Sequence, residues 1–165
     1  MDGKPDHLSE RLPRLPGPYR SASIGAAVAA GWGLVFGGGL ALLVGPPESR
    51  DELLVLSTII MVIAFAFSVV GAMVGAATRN VLRDCPLVRL PSAGRWSGAQ
   101  LGVAISWAAH AVLTMVGFVV VGSLTGQPVP APVLAAQIMV LPVLTTPFFA
   151  GAGAITGHLI ARHSA

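Results

Sequence analysis

Four stretches of this chain are apolar all round, with no polar residue recurring at a helical period, and charge or proline marks the end of each. Between Arg20 and Glu48 lie 27 uncharged residues, between Glu52 and Arg79 another 26, and between Arg95 and Arg162 a further 66. A bilayer core about 30 Å thick takes about 20 helical residues at ~1.5 Å of rise each. The first two stretches hold one span apiece. The third holds two, because the prolines at 128, 130 and 132 remove backbone donors and lock φ, which breaks any helix there. The pattern therefore predicts spans at 21–45, 53–78, 98–124 and 133–161. A soluble core helix would show one polar face, and a β-barrel would show alternating strands of about ten residues; neither pattern is present.

The expected fold is an all-α integral membrane protein of four transmembrane helices, arranged as two tandem helical hairpins in a single membrane domain. Residues 1–20 form a Pro-rich tail and 46–52 an external loop. Residues 79–97 are a basic cytoplasmic loop, 125–132 an external Pro-rich loop, and 162–165 the C-terminal tail. Composition agrees: 54% of residues are hydrophobic and 10% charged, against about 25% charged in soluble domains. The first span is longer than the usual signal-peptide apolar region. Gly45-Pro46-Pro47-Glu48-Ser49 follows it where a small-residue cleavage site would stand, so it reads as a retained anchor.

Charge sets the orientation. Lys4, Arg11, Arg14 and Arg20 lie in the first tail, Arg79, Arg83, Arg89 and Arg95 in the middle loop, and Arg162 at the end. Only Arg50 lies on the other side, with Glu48, Asp51 and Glu52. Short basic loops stay cytoplasmic, so both termini are expected inside, with Tyr19 and Trp96 in the headgroup layer. Nine arginines against one lysine point to a GC-rich bacterial genome, and hence to a bacterial plasma membrane. Flanking arginines serve orientation and anionic lipid headgroups, so nucleic-acid binding is not expected. Cys85, the single cysteine, reads as an ordinary reduced thiol in the middle loop.

The halves look like copies of one hairpin. Arg14-Leu15-Pro16 and Arg89-Leu90-Pro91 each precede an arginine beside an aromatic and then a small-residue run. Gly25 and Gly45 are spaced as Gly102 and Gly122 are, and Gly71-Ala-Met-Val-Gly75 has its counterpart in Gly153-Ala-Ile-Thr-Gly157. This predicts an internal duplication with an axis along the membrane normal.

Every span carries a small-residue face. The first has Gly25, Ala29, Gly33, Gly37, Ala41 and Gly45 at every fourth position; the others carry Gly71 and Gly75, Gly98 and Gly102, and Gly153 and Gly157. In lipid, close backbone approach through such faces supplies packing energy. Either the faces bind one another within the chain, or one of them, the long first-span groove, holds another chain.

Pro142 and Pro147 fall inside the fourth span, where each frees a carbonyl one turn back that Thr145 or Thr146 can re-satisfy. His110 lies mid-span on the stripe of Gly102, Ser106 and Thr114. An intramembrane ionisable residue is a site candidate by default. Its alternatives are a neutral imidazole bonded to a neighbouring helix and a proton-relay or cofactor role.

No other histidine shares its depth: His158 and His163 lie at the cytoplasmic end and His7 in the tail, so neither a bis-histidine haem nor a tetrahedral metal site is expected. The spans contain no Asp or Glu, and the chain has no phosphate loop, HExxH, nucleophile elbow or dinucleotide fingerprint. No enzymatic activity and no cofactor are therefore expected. The expected function is that of a non-catalytic accessory or structural subunit, whose partners are the bilayer and either another membrane protein or further copies of itself. The alternative is a small oligomeric channel or transporter with a path near His110 and the kinked fourth span.

Overall fold

The computed structural model describes residues 15–84, 91–126 and 130–163. The tail up to residue 14, Cys85, the Arg89-Leu90 part of the repeated motif and residues 127–129 lie outside the described residues. The chain folds into four helices: α1 (Pro18–Val44), α2 (Arg50–Asp84), α3 (Pro91–Thr125) and α4 (Ala131–Arg162). All four are long and apolar enough to cross a membrane.

The helix ends follow from local chemistry. Proline sits in the first turn of α1, where its missing N–H would have had no partner. The helix stops at Gly45, whose φ of 99° only glycine adopts without strain. Ser49 and Glu52 cap α2: the Glu52 N–H donates to Ser49 Oγ at 3.2 Å, and Glu52 Oε2 accepts from the Glu48 N–H at 2.7 Å. Gly126 ends α3 with φ 66°.

Both α2 and α3 run beyond the apolar spans into the region read from sequence as a loop at 79–97. Arg79, Arg83 and Arg95 end the hydrophobic run without ending the helix, because arginine is a good helix former whatever its polarity.

Glycine-to-backbone contact joins the helices in pairs. A Cβ on Gly25 would collide with the Gly71 carbonyl, one on Gly71 with Ala29 and the Gly25 carbonyl, and one on Gly75 with the Ser21 carbonyl. Across the second hairpin, Gly98 meets Gly153, Gly94 meets Gly157, and Gly102 meets the Phe149 carbonyl. Gly94 had read as loop; it is part of this seam. With Gly71 set against Gly153, the counterpart of Gly25 is Gly98, one turn before the Gly102 chosen by sequence match. Further along α1, Gly33 lies against Ala64 and Phe67, and a Cβ on Gly37 would come within 3.2 Å of the Ile60 side chain. The first-span groove is thus filled by α2 from Gly25 to Gly37, while Gly45 at its end meets nothing. Only Gly31, Gly38 and Gly39 on α1 face open space.

A run of aromatic rings joins one hairpin to the other. Phe67 of α2 stacks on Phe149 of α4 at 4.3 Å and on Phe36 of α1 at 5.8 Å. Phe148 takes Phe36 and Trp32 edge-on at 5.1 and 5.8 Å. Phe67 stands four residues before Gly71, as Phe149 stands four before Gly153, so like positions meet where the hairpins meet. Beneath this belt Leu82, Ile160 and Ala161 form a second buried cluster with Leu15 and Ile24. The first described residues, the end of α2, the start of α3 and the end of α4 therefore gather at one end of the bundle.

Towards the other end, described residues of the core-forming stripes are exposed. On α3, Leu101, Ile105 and Ala109 pack on the core, yet Val112, Val116 and Val119 continue that stripe at 61%, 55% and 64% exposure. On α1, Val28, Trp32 and Phe36 pack, and Leu40 and Leu43 beyond them are exposed. Among the described residues, the hairpins hold each other through one half of their length, and in the other half these side chains of α1 and α3 are exposed.

Candidate functional site

The polar candidates on α3 fall one turn apart. Ser106 is fully buried, while His110 and Thr114 are half-buried. His110 Nδ1 lies 2.9 Å from the Ser106 carbonyl oxygen and 3.5 Å from Ser106 Oγ. A carbonyl only accepts, so Nδ1 carries a hydrogen and donates. In the neutral ring, Nε2 is then an acceptor with no partner among the described residues. The ring also meets Phe149 edge-on at 6.3 Å, so it rests against α4. Thr114 makes no hydrogen bond among the described residues.

One residue missed in the sequence, Trp107, completes the cluster. The Trp107 indole N–H donates to Thr146 Oγ1 at 2.9 Å, tying α3 to α4. The Thr146 hydroxyl donates onward to the Pro142 carbonyl at 2.7 Å. Thr145, buried beside it, donates to the Leu141 carbonyl at 2.9 Å and lies 3.3 Å from that of Pro142. The carbonyls that Pro142 and Pro147 deprive of a donor belong to Ile138 and Val143, so the hydroxyls do not re-satisfy them as expected. They double-load the neighbouring carbonyls, and α4 continues through both prolines. Trp107 is three residues from His110, which hinted at proximity; its bond to a residue 39 positions away has no local signature.

At the end where the core is tightest, Arg79 Nε donates to the Pro16 carbonyl at 2.8 Å, and the Ser21 hydroxyl lies 3.5 Å from the same oxygen. This straps Leu15 and Pro16 beneath α2 and α4. Arg83 and Asp84 pair at 2.9 Å in an exposed position. Thr78 Oγ1 and His158 Nδ1 are buried without a partner.

Among the described residues no three His, Cys, Asp or Glu side chains gather as a metal site would require. The space enclosed by Gly25, Ala29, Gly71, Val74, Phe149, Ala152, Gly153 and Thr156 is too tight to admit water. What the cluster offers is a clamp between α3 and α4 and one free acceptor lone pair at mid-helix. No protein-family model, curated protein or solved structure matches this chain.

Proposed function

We propose that this protein is a non-catalytic structural subunit of a larger assembly in a bacterial plasma membrane. It crosses the bilayer four times with both termini cytoplasmic. Its two hairpins descend from an internal duplication, a reading supported by the repeated Gly-on-Gly contact and by Phe67 meeting Phe149.

The observation that carries the proposal is the contrast along the bundle. One half is held by glycine seams and an aromatic belt. In the other, the stripe that forms the core lies bare at Val112, Val116 and Val119. A partner helix entering there would meet the surface that the chain itself uses for packing. Affinity purification in a mild detergent tests this. A stoichiometric hetero-partner is expected; recovery of this chain by itself, in any copy number, contradicts it.

A small channel or transporter is the second reading. It is favoured by one observation, the unpaired His110 Nε2 at mid-helix. Since Phe67 on Phe149 fills the middle of the chain, such a path would run between copies. Proteoliposomes would then show a pH-dependent flux lost in His110→Ala, and absence of flux for every solute tried counts against it.

A further inference from the structure

We infer that the arginine-bearing end of the bundle is a binding site for anionic phospholipid, whose phosphate is held by the guanidinium of Arg79 and its exposed neighbours. The inference rests on the reading that these helices cross a bilayer. It is independent of any protein partner.

Among the described residues, that end carries Arg20, Arg79, Arg83, Arg95 and Arg162 against one acid, Asp84, so five positive charges less one negative leave +4. The opposite end carries Arg50 against Glu48, Asp51 and Glu52, an excess of negative charge. Asp84 is already paired with Arg83 at 2.9 Å. No acceptor among the described residues meets the guanidinium of Arg20, Arg95 or Arg162, and all three are exposed. Each of the five arginines is next in sequence to a buried residue: Ser21, Thr78, Leu82, Gly94 and Ala161. Packing therefore holds the backbone that bears each charge.

Arg79 is held further still. It is half-buried, and its Nε donates to the Pro16 carbonyl at 2.8 Å. With Nε engaged, both Nη groups remain, oriented by that bond and without an acceptor among the described residues. A guanidinium presents parallel N–H donors that fit the free oxygens of a phosphodiester.

The aromatic rings decide which phosphate. Tyr19 beside Arg20 is 90% exposed, and Trp96 beside Arg95 is 70% exposed. Free phosphate would leave both rings in water. A phospholipid meets the arginines with its phosphate and the rings with its glycerol and acyl region, where such rings settle. A zwitterionic lipid also brings an ammonium, which the excess positive charge repels, so the lipid that fits is anionic.

The test titrates the full chain, purified in a neutral detergent, with phosphatidylglycerol, phosphatidylcholine or inorganic phosphate, and reads the thermal unfolding midpoint. Phosphatidylglycerol is expected to raise the midpoint at lower concentration than phosphatidylcholine, and by less as salt increases. Inorganic phosphate at the same concentration is expected to leave it unchanged. Arg79→Gln, Arg95→Gln and Arg162→Gln should each weaken phosphatidylglycerol binding about fivefold. Arg50→Gln, at the opposite end, should not. Arg79→Gln also releases Pro16, so the Arg95 and Arg162 variants carry the test if that protein unfolds. An equal response to both lipids, a response to inorganic phosphate as large as to lipid, or the same loss in Arg50→Gln as in Arg95→Gln would overturn the site. Such a failure in a protein that still needs detergent leaves the bilayer reading standing, whereas release into water without detergent removes both.

Discussion

A single methyl group decides whether these helices can meet. At Gly71 and Gly153 an added Cβ would overlap backbone carbonyls of the facing helix, which cannot move without separating the pair. Gly71→Ala and Gly153→Ala are therefore expected to destabilise by about 1–3 kcal/mol, the usual cost of overpacking. Gly37→Ala should cost less, because the added Cβ would come no nearer than 3.2 Å to the Ile60 side chain, which can shift. Gly31→Ala and Gly39→Ala, which meet nothing, should be neutral or slightly stabilising. Thermal unfolding in detergent ranks the series; equal effects at Gly71 and Gly31 would contradict the seam.

Thr78→Val is a test of opposite sign. The hydroxyl is buried without a partner, and removing it at constant shape should be neutral or stabilising by about 1 kcal/mol. A clear loss of stability would show that the hydroxyl has a partner after all.

Much of this scale was legible in the sequence, because a fourfold spacing of small residues is local information. The register between helices was not. Gly94 was hidden by its proximity to Arg95, and the match of Gly25 to Gly102 missed by one turn because composition alone cannot tell neighbouring turns of a glycine ladder apart.

At the scale of elements, the helices are fixed by caps and prolines, and their pairing by contacts distant in sequence. The spans were readable from hydropathy. Their continuation into 79–84 and 91–97 was not, since the arginines there change solvent preference and not backbone conformation. The Ser106–His110 bond follows from a four-residue spacing, whereas the Trp107–Thr146 bond and the Phe67–Phe149 stack join different helices. A double-mutant cycle on Trp107→Phe and Thr146→Val should show a coupling of about 0.6 kcal/mol and no more than about 1.7, the range found for such bonds in lipid. No coupling would mean the two helices are held by packing alone. Arg79→Met removes the donor that straps Pro16, and limited trypsin digestion of detergent-solubilised protein should then cut at Arg20 sooner than in the wild type. Unchanged digestion would show that Leu15 and Ile24, packed on Leu82 and Ile160, hold the strap by themselves.

For the whole molecule, the solvent matters more than any one contact. Large apolar side chains such as Leu43, Phe65, Val112 and Met139 are mostly exposed, an arrangement water would penalise and lipid would not. The glycine seams make sense in the same solvent, because between helices in hydrocarbon close backbone approach replaces the hydrophobic drive that water would provide.

An even number of crossings returns the chain to its starting side, and the described helices already bring the start of α1 and the end of α4 to one end of the bundle. The most direct test is protease protection of small tags placed at the two termini, measured in sealed membrane vesicles of known orientation. With the cytoplasmic side facing out, both tags are expected to be digested, and with it facing in, both to survive. One tag digested and the other protected would contradict a protein that crosses the bilayer four times, as would release of the chain into the aqueous fraction without detergent.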